Sequence, residues 1–258
     1  MKTEAPVIEM QNVSIVSPQE ADVAQVENVN WRVQRGEFWI IGGSHGSGKS
    51  NLLSTAAGLQ NPLRGKVTLF GRDASGTREK ELEEERRRIG LVFQSGGRNL
   101  SRLTIAENVA LPLRYHGNLS EAEVEHELRR ILEPMELIPM AKSMSKTVSL
   151  GWQQRTALAR ALTLKPEVLL LDKPLSSVEA RHRRWWLEFL PKLFSGSALE
   201  DQPAMTVALV TDDVEPWINI GTHFAVLKKN GWQFLGNRAE LQRDEKQLRE
   251  LWADELIF

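Results

Sequence analysis

The chain has 258 residues, which is enough for one large domain or for one domain with an inserted subdomain. Its 33 Lys and Arg against 34 Asp and Glu give a net charge of −1, which argues against nucleic acid as the main partner. The lack of cysteine excludes disulfides, thiolate metal sites, iron–sulfur clusters and a catalytic thiol. The aliphatic runs are far shorter than the about 18 residues of a membrane helix, and the first residues do not resemble a signal peptide, so we expect a soluble cytoplasmic chain.

The first part of the chain alternates predicted strands with predicted helices. Residues 7–17 and 24–36 alternate apolar and polar side chains, which predicts two half-buried antiparallel strands. A short apolar strand at 37–41 then leads through a glycine-rich turn into a helix that ends at Gly58. The next predicted elements are a strand at 66–70, a charged helix at 77–88 and a buried strand at 89–93.

Helical patterns dominate residues 94–163, where strand signals are missing, and this predicts a helical insertion. Buried strands at 167–172 and 205–210 flank a helix at 178–194, an alternation that is typical of a parallel α/β sheet. The last predicted elements are a hairpin at 224–236 that turns at Asn230 and Gly231, and a surface helix at 237–258.

The segment GSHGSGKS at positions 43–50 fits the pattern Gly, four residues, Gly, Lys, Ser, and it lies between a predicted strand and a predicted helix. Its glycines allow backbone N–H groups to point at phosphate oxygens, and the helix N-terminus adds a positive dipole end. We expect Lys49 to reach the β- and γ-phosphates and Ser50 to bind Mg²⁺, with His45 exposed. A chance glycine-rich turn is the alternative, and the flanking strand and helix argue against it. The predicted nucleotide-binding residues are Gly43, Ser44, His45, Gly46, Ser47, Gly48, Lys49, Ser50 and Asn51.

Two further residues end predicted strands. Asp172 follows the apolar run VLLL, where a carboxylate can hold the water shell of Mg²⁺, and Gln94 follows the strand at 89–93. The segment QQRTALARALTLKPEVLLLDKPLSSVE at 153–179 is very similar to the one that joins the signature motif to the Walker B strand in ATP-binding cassette (ABC) proteins. The chain therefore resembles an ABC nucleotide-binding domain over nearly its whole length. This resemblance implies that Gln94 is the Q-loop glutamine and that Ser50, Gln94 and Asp172 form the metal site.

The resemblance also implies a fold and a set of partners. The fold would be α/β, of the P-loop NTPase class, with a RecA-like core, an antiparallel β-subdomain and an inserted α-helical subdomain. The single domain would span 1–258, with the core and β-subdomain at 1–94 and 164–258 and the helical subdomain at 95–163. The implied ligands are ATP and Mg²⁺, and the implied partners are transmembrane subunits and a second cassette, identical or different, at the inner face of the cell membrane. FQSGG at 93–97 resembles cassettes of lipid-trafficking systems of the Mla type.

Two positions depart from the family where hydrolysis would occur. The glutamate that usually follows the Walker B aspartate is Lys173, and a lysine ammonium near neutral pH cannot take a proton from water. Asp212 stands at the position where the family has its switch histidine. We expect an ion pair between Lys173 and Asp212. Lys173 on the γ-phosphate is an alternative contact, and drift with no pair is a third reading. Either contact predicts slow turnover, and Lys173, Asp212 and Gln94 are the predicted catalytic positions.

The signature motif departs as well, because positions 148–152 read VSLGW where the family has LSGGQ. Ser149 and Gly151 keep a hydroxyl and a helix-start N–H for a partner's nucleotide. The bulky Leu150 and Trp152 would either block a second cassette or pack against it. Two smaller departures are Glu179, in place of the D-loop aspartate, and Ser17, in place of an aromatic residue that stacks on adenine.

The sequence thus predicts a cassette that binds nucleotide and hydrolyses it weakly or not at all. One alternative is an active transport ATPase whose second cassette supplies the productive site. The other is a non-catalytic scaffold or regulatory protein that keeps the fold for assembly.

Overall fold

The computed structural model describes residues 5–17, 23–76, 79–96, 99–117, 119–228 and 231–241. The chain divides into two compact units. The first unit comprises residues 1–86 and 206–258, and the second unit comprises residues 87–205. Within the described ranges, no helix combines the length and the hydropathy needed to cross a bilayer.

The described residues form the following elements. The strands are β1 (Ile8–Val16), β2 (Ala24–Val33), β3 (Phe38–Gly43), β4 (Arg64–Leu69), β5 (Arg72–Asp73), β6 (Ile89–Val92), β7 (Val168–Asp172), β8 (Thr206–Val210), β9 (His223–Lys228) and β10 (Gly231–Asn237). The helices are α1 (Lys49–Ala56), α2 (Glu83–Arg87), α3 (Ile105–His116), α4 (Glu121–Leu132), α5 (Leu150–Leu162), α6 (Ala180–Ser195) and α7 (Arg238–Leu241).

An antiparallel sheet with the order β2-β1-β4-β5 forms one layer of the first unit. The central strand β1 pairs through Ile8 with Val33 of β2 on one side and with Leu69 of β4 on the other. Strand β2 buries Val29 and Trp31 and exposes Asn30 between them, because one face packs on the core and the other meets water. The half-buried antiparallel strands predicted at 7–17 and 24–36 are confirmed.

A second set of strands in the first unit has the order β10-β9-β3-β8. Strand β3 pairs in parallel with both β8 and β9, and β10 returns antiparallel to β9. Every residue of β3 and β8 is buried, as expected for apolar strands inside a parallel sheet. The predicted hairpin at 224–236 is confirmed. Of the two predicted turn residues, Asn230 lies outside the described residues and Gly231 is instead the first residue of β10, opposite Lys228. Because β3 and β8 are parallel, the loops that follow them emerge at the same edge.

The second unit contains β6 and β7, which pair in parallel with Ile89 opposite Val168. Helices α3, α4 and α5 lie between these two strands in the chain, and α6 follows β7. Capping boxes start α3 and α4, since Thr104 and Ser120 each exchange hydrogen bonds with the residue three positions later. The helical character predicted for this stretch is confirmed.

The helix predicted at 77–88 is wrong in part. Residues 77–78 lie outside the described residues, Glu79–Leu82 form a 3₁₀ turn, and α2 is only five residues long. Arg88 contacts Glu167 at 2.5 Å. The predicted terminal helix begins as α7, and residues 242–258 lie outside the described residues.

Candidate nucleotide-binding site

The loop between β3 and α1 has two positions that can be occupied only by glycine. Gly43 has φ 154°, and a Cβ there would lie 2.6 Å from the Leu227 carbonyl oxygen and 2.8 Å from Ser47 Oγ. Gly48 has φ 94°, and a Cβ there would lie 2.8 Å from Val26 Cγ2. A side chain is therefore excluded at both positions, as expected for a tightly wrapped loop whose backbone N–H groups approach an anion closely. This geometry fits a phosphate group.

Lys49, at the start of α1, is folded back into this loop. Its ammonium donates hydrogen bonds to the Gly43 carbonyl oxygen at 2.7 Å, to the Ser44 carbonyl oxygen at 2.6 Å and to Ser47 Oγ at 3.1 Å. The side chain is 2% exposed, and its Nζ lies 2.8 Å from Asp212 Oδ1. A buried ammonium needs a compensating charge, and the Asp212 carboxylate supplies one.

Asp212 reaches this position because of the pairing between β3 and β8. Ile41 lies opposite Val210 in the parallel register, and the Thr211 N–H donates to the Ile41 carbonyl oxygen at 3.0 Å. The Thr211 hydroxyl closes a tight turn by donating to the Asp213 carbonyl oxygen at 2.8 Å. Asp212 is thereby brought beside the loop, with its side chain 40% exposed. The contact between Asp212 and Lys49 was not predicted. The expected ion pair between Asp212 and Lys173 stays a prediction, because the two residues belong to different units.

The outer side of the loop is tied to β2. Gln25 Nε2 donates to the Gly46 carbonyl oxygen at 2.8 Å, and Asn51 Nδ2 donates to Gln25 Oε1 at 2.8 Å. His45 is exposed, as predicted, and Ser50 is exposed as well. Gln25 carries no sequence signal, because its role depends on the antiparallel sheet lying against the loop.

The end of β7 carries the second group of predicted residues. Asp172 and Lys173 are both buried, and Lys173 has a left-handed backbone with φ 47°. The Ser176 N–H donates to the Lys173 carbonyl oxygen at 3.0 Å, and Gln94 Nε2 donates to Ser176 Oγ at 3.2 Å. Val92 lies opposite Leu171 in the register of β6 and β7, which brings Gln94 to the level of Lys173. The second unit therefore places Gln94 against Ser176, close in the chain to Asp172 and Lys173. The predicted metal set of Ser50, Gln94 and Asp172 and the predicted catalytic set of Lys173, Asp212 and Gln94 each include residues of both units and stay predictions.

The described residues do not form a cluster of side chains that could bind a metal ion by themselves. No group of three or more His, Asp or Glu side chains among them has the arrangement of a cation site. Mg²⁺ retains several waters and needs only one or two protein ligands beside phosphate oxygens. The Ser50 hydroxyl in the first unit and the Asp172 carboxylate in the second unit each offer the oxygen chemistry that Mg²⁺ prefers.

The signature segment begins α5 and packs within the second unit. Ser149 is the N-cap residue of α5, and its side chain makes no capping hydrogen bond. Gly151 faces His182 of α6 so closely that a Cβ would lie 2.2 Å from His182 Cγ. The Trp152 ring meets the His182 ring edge-on, with centroids 4.8 Å apart. Gly151 therefore serves the packing of α5 against α6, a role that the motif alone did not indicate.

A buried arginine connects this packing to the helical insertion. Arg155 is fully buried, contacts Glu136 Oε2 at 2.8 Å and donates to the Met135 carbonyl oxygen at 3.2 Å. Its guanidinium lies 4.8 Å from the Trp152 ring centroid and 4.2 Å from that of Trp185. The hydrogen bond from Arg155 holds the pKa of Glu136 below its usual value. Burial lowers the pKa of Arg155.

The comparisons with known proteins agree with this geometry. The family model of the ABC transporter matches residues 26–176. The chain belongs to the ABC transporter family. The predicted family is thereby confirmed.

The chain is similar to several curated ABC proteins. It is 33% identical over 229 residues to the sulfate/thiosulfate import ATP-binding protein CysA of Synechococcus elongatus, covering 89% of this chain and 63% of that protein. It is 32% identical over 228 residues to the methionine import ATP-binding protein MetN of Ligilactobacillus salivarius, covering 86% of this chain and 62% of that protein. The chain thus spans less than two thirds of the length of these relatives.

Solved structures show the same fold. The dimeric ATP-binding cassette MJ0796 in a post-hydrolysis state with ADP and Pi matches with a TM-score of 0.78 and 30% identity, covering 88% of this chain and 98% of that chain. CbiO1 from Clostridium perfringens, part of the cbiONQ transporter complex, matches with a TM-score of 0.77 and 20% identity, covering 96% of this chain and 95% of that chain. This chain has the α/β fold of an ABC cassette, with an antiparallel β-subdomain and a helical subdomain.

Proposed function

We propose that this chain is the ATP-binding subunit of an ABC transporter, which binds Mg·ATP, couples it to membrane subunits, and hydrolyses it weakly or not at all. The observation that carries the proposal is the contrast between two sites. The loop at 43–50 keeps its phosphate cradle around a buried Lys49, whereas Lys173 follows Asp172 in place of a carboxylate.

The first unit would bind the phosphate groups of the nucleotide. The N–H groups of residues 43–50 and the start of α1 would hold the phosphates, and Lys49 would neutralise their charge. Ser50 of the first unit, and Asp172 and Gln94 of the second unit, are the proposed Mg²⁺ ligands.

Hydrolysis would fail for lack of a base. A general base contributes about 10²- to 10⁴-fold to such a reaction, and a lysine ammonium near neutral pH has no lone pair with which to take the proton of an attacking water. The Asp172 carboxylate is reserved for the metal in this proposal. The chain can therefore hold the triphosphate while lacking the group that activates water.

The proposed partners follow from the family. A second cassette would meet Ser149 and Gly151 at the start of α5, and transmembrane subunits would place the chain at the inner face of the cell membrane. The names of CysA and MetN assign those relatives to the import of sulfate, thiosulfate and methionine, and they support an import system here. The FQSGG segment supports lipid as the transported class, and comparing vesicle-borne phospholipid with soluble nutrients in the reconstituted transporter would decide between the two.

The decisive experiment measures binding and hydrolysis separately. Mg·ATP binding is followed by tryptophan fluorescence and turnover by phosphate release, for the chain alone and with its membrane subunits. We expect the wild type to bind Mg·ATP and to release phosphate slowly. Lys173→Glu, alone and together with Asp212→His, should accelerate phosphate release by about tenfold or more, because it restores a carboxylate beside Asp172.

Lys165→Glu is the matched control, since it makes the same charge change at an exposed lysine before β7. It should leave phosphate release unchanged. Wild-type hydrolysis as fast as that of the Lys173→Glu variants would overturn the impaired-hydrolysis proposal and favour the active ATPase. A wild type that fails to bind Mg·ATP would favour the non-catalytic scaffold.

A further inference from the structure

We infer that Asp212 is an internal competitor for the phosphate site, which weakens the binding of nucleoside triphosphates more than that of diphosphates. The inference rests on the proposed nucleotide binding and deepens it. It concerns the contact between the Asp212 carboxylate and the Lys49 ammonium, at 2.8 Å.

The donors of Lys49 are already engaged. An ammonium has three N–H donors, and four oxygens surround Nζ within 3.1 Å: the carbonyl oxygens of Gly43 and Ser44, Ser47 Oγ and Asp212 Oδ1. A phosphate oxygen that binds Lys49 must therefore displace at least one of them.

Among the four groups around Nζ, the Asp212 carboxylate is the one that can leave. The two carbonyl groups belong to the backbone of the loop, and Ser47 Oγ is a neutral hydroxyl of the same loop. The Asp212 side chain is 40% exposed and can rotate into water, where a carboxylate is well solvated. It is also the charged member of the four, so its loss from Lys49 requires an anion in exchange.

The cost of this exchange depends on the charge of the ligand. The β3–β8 register keeps the backbone of Asp212 beside the loop even when its side chain turns away, so the carboxylate remains near the bound phosphates. A triphosphate carries one more negative charge than the corresponding diphosphate and is repelled more strongly. Asp212 thus acts as a specificity-determining residue that narrows the preference for ATP over ADP.

Removing the charge should have two effects of opposite sign. Without the carboxylate, the buried Lys49 retains only neutral acceptors among the four, so the nucleotide-free protein should lose stability. The phosphate site is then no longer contested, so nucleotides should bind more tightly. A purely structural role for Asp212 would lower stability and affinity together.

The test compares Asp212→Asn with Asp213→Asn, which makes the same change one position further, at a residue whose Oδ1 accepts from the Glu215 N–H at the surface. Dissociation constants for Mg·ATP and Mg·ADP are measured by titration calorimetry, and the unfolding midpoint is measured without nucleotide. We expect Asp212→Asn to bind Mg·ATP about tenfold more tightly and Mg·ADP about threefold more tightly, with a lower midpoint. Asp213→Asn should bind both nucleotides as the wild type does.

The failures are distinguishable. Wild-type binding together with equal or weaker Mg·ATP binding in Asp212→Asn overturns the inference and leaves the proposed function standing. An equal gain for Mg·ATP and Mg·ADP overturns the claim of discrimination. If none of the three proteins binds nucleotide, the proposed function fails and the inference fails with it. Binding by Asp212→Asn alone supports a competitor strong enough to close the wild-type site.

Discussion

Gly151→Ala offers a sharp test of how the signature segment is held. A Cβ at this position would lie 2.2 Å from His182 Cγ and Cδ2. Carbon atoms in contact need about 3.5 Å, so the imidazole must move by roughly 1.3 Å. The ring is buried beneath Trp152 and has little space into which to move.

The magnitude follows from two opposing effects. Forcing an extra methyl into a packed site costs about 1–3 kcal/mol, whereas replacing glycine by alanine inside a helix stabilises it by about 0.5–1 kcal/mol. The variant should therefore unfold about 0–2.5 kcal/mol more easily. In a His182→Ala background the collision is absent, and Gly151→Ala should become stabilising by about 0.5–1 kcal/mol.

The assay is a double-mutant cycle by urea unfolding, monitored by tryptophan fluorescence. We expect a coupling energy of about 1–3 kcal/mol between positions 151 and 182. Gly231→Ala is the control, because no atom lies within 4 Å of a Cβ built there. If Gly151→Ala has the same effect with and without the imidazole, the packing argument is refuted.

Two further predictions concern His182, beside the signature segment, and Gly43, in the phosphate loop. Burial, followed by the charge of Arg155, lowers the pKa of His182 from its ordinary value of 6.5, so the unfolded chain binds this proton more readily than the folded one. The free energy of unfolding should therefore be independent of His182 protonation well above pH 6.5 and should decrease as the pH falls below 6.5. In thermal unfolding, His182→Gln should reduce this decrease, whereas the control His126→Gln, at an exposed histidine, should leave it as in the wild type. Gly43→Ala should weaken Mg·ATP binding by about tenfold or more in calorimetry, because its methyl group would collide with the Leu227 carbonyl, and undiminished binding would contradict the cradle.

Local sequence was sufficient for much of the fold. The predicted strands at 37–41 and 167–172 contain the apolar runs 38–41 and 168–171, and runs of this kind are typical of buried parallel strands. The phosphate loop is equally local, since its glycines are required by the backbone conformation of the loop itself. Helix starts at Thr104 and Ser120 follow from capping boxes within four residues.

Contacts between distant segments could not be predicted in the same way. The pairing of Lys49 with Asp212 depends on the register of β3 against β8, which are separated by more than 160 residues. The packing of Gly151 on His182 depends on how α5 and α6 meet, and a glycine in a signature motif gives no indication of a neighbouring ring. Sequence patterns identify residues with the functional groups that a site requires, whereas the topology of the fold determines which of these residues are in contact.

The hydrogen bonds of Gln25 connect the phosphate loop to the antiparallel sheet mechanically. A single amide side chain donates to the Gly46 carbonyl oxygen and accepts from Asn51, whose Nδ2 also lies 3.4 Å from the Val16 carbonyl oxygen of β1. Any rearrangement of the loop around a ligand must either break these bonds or move β2 with it. The position of β2, the terminal strand of the antiparallel sheet, is thereby coupled to the conformation of the phosphate loop.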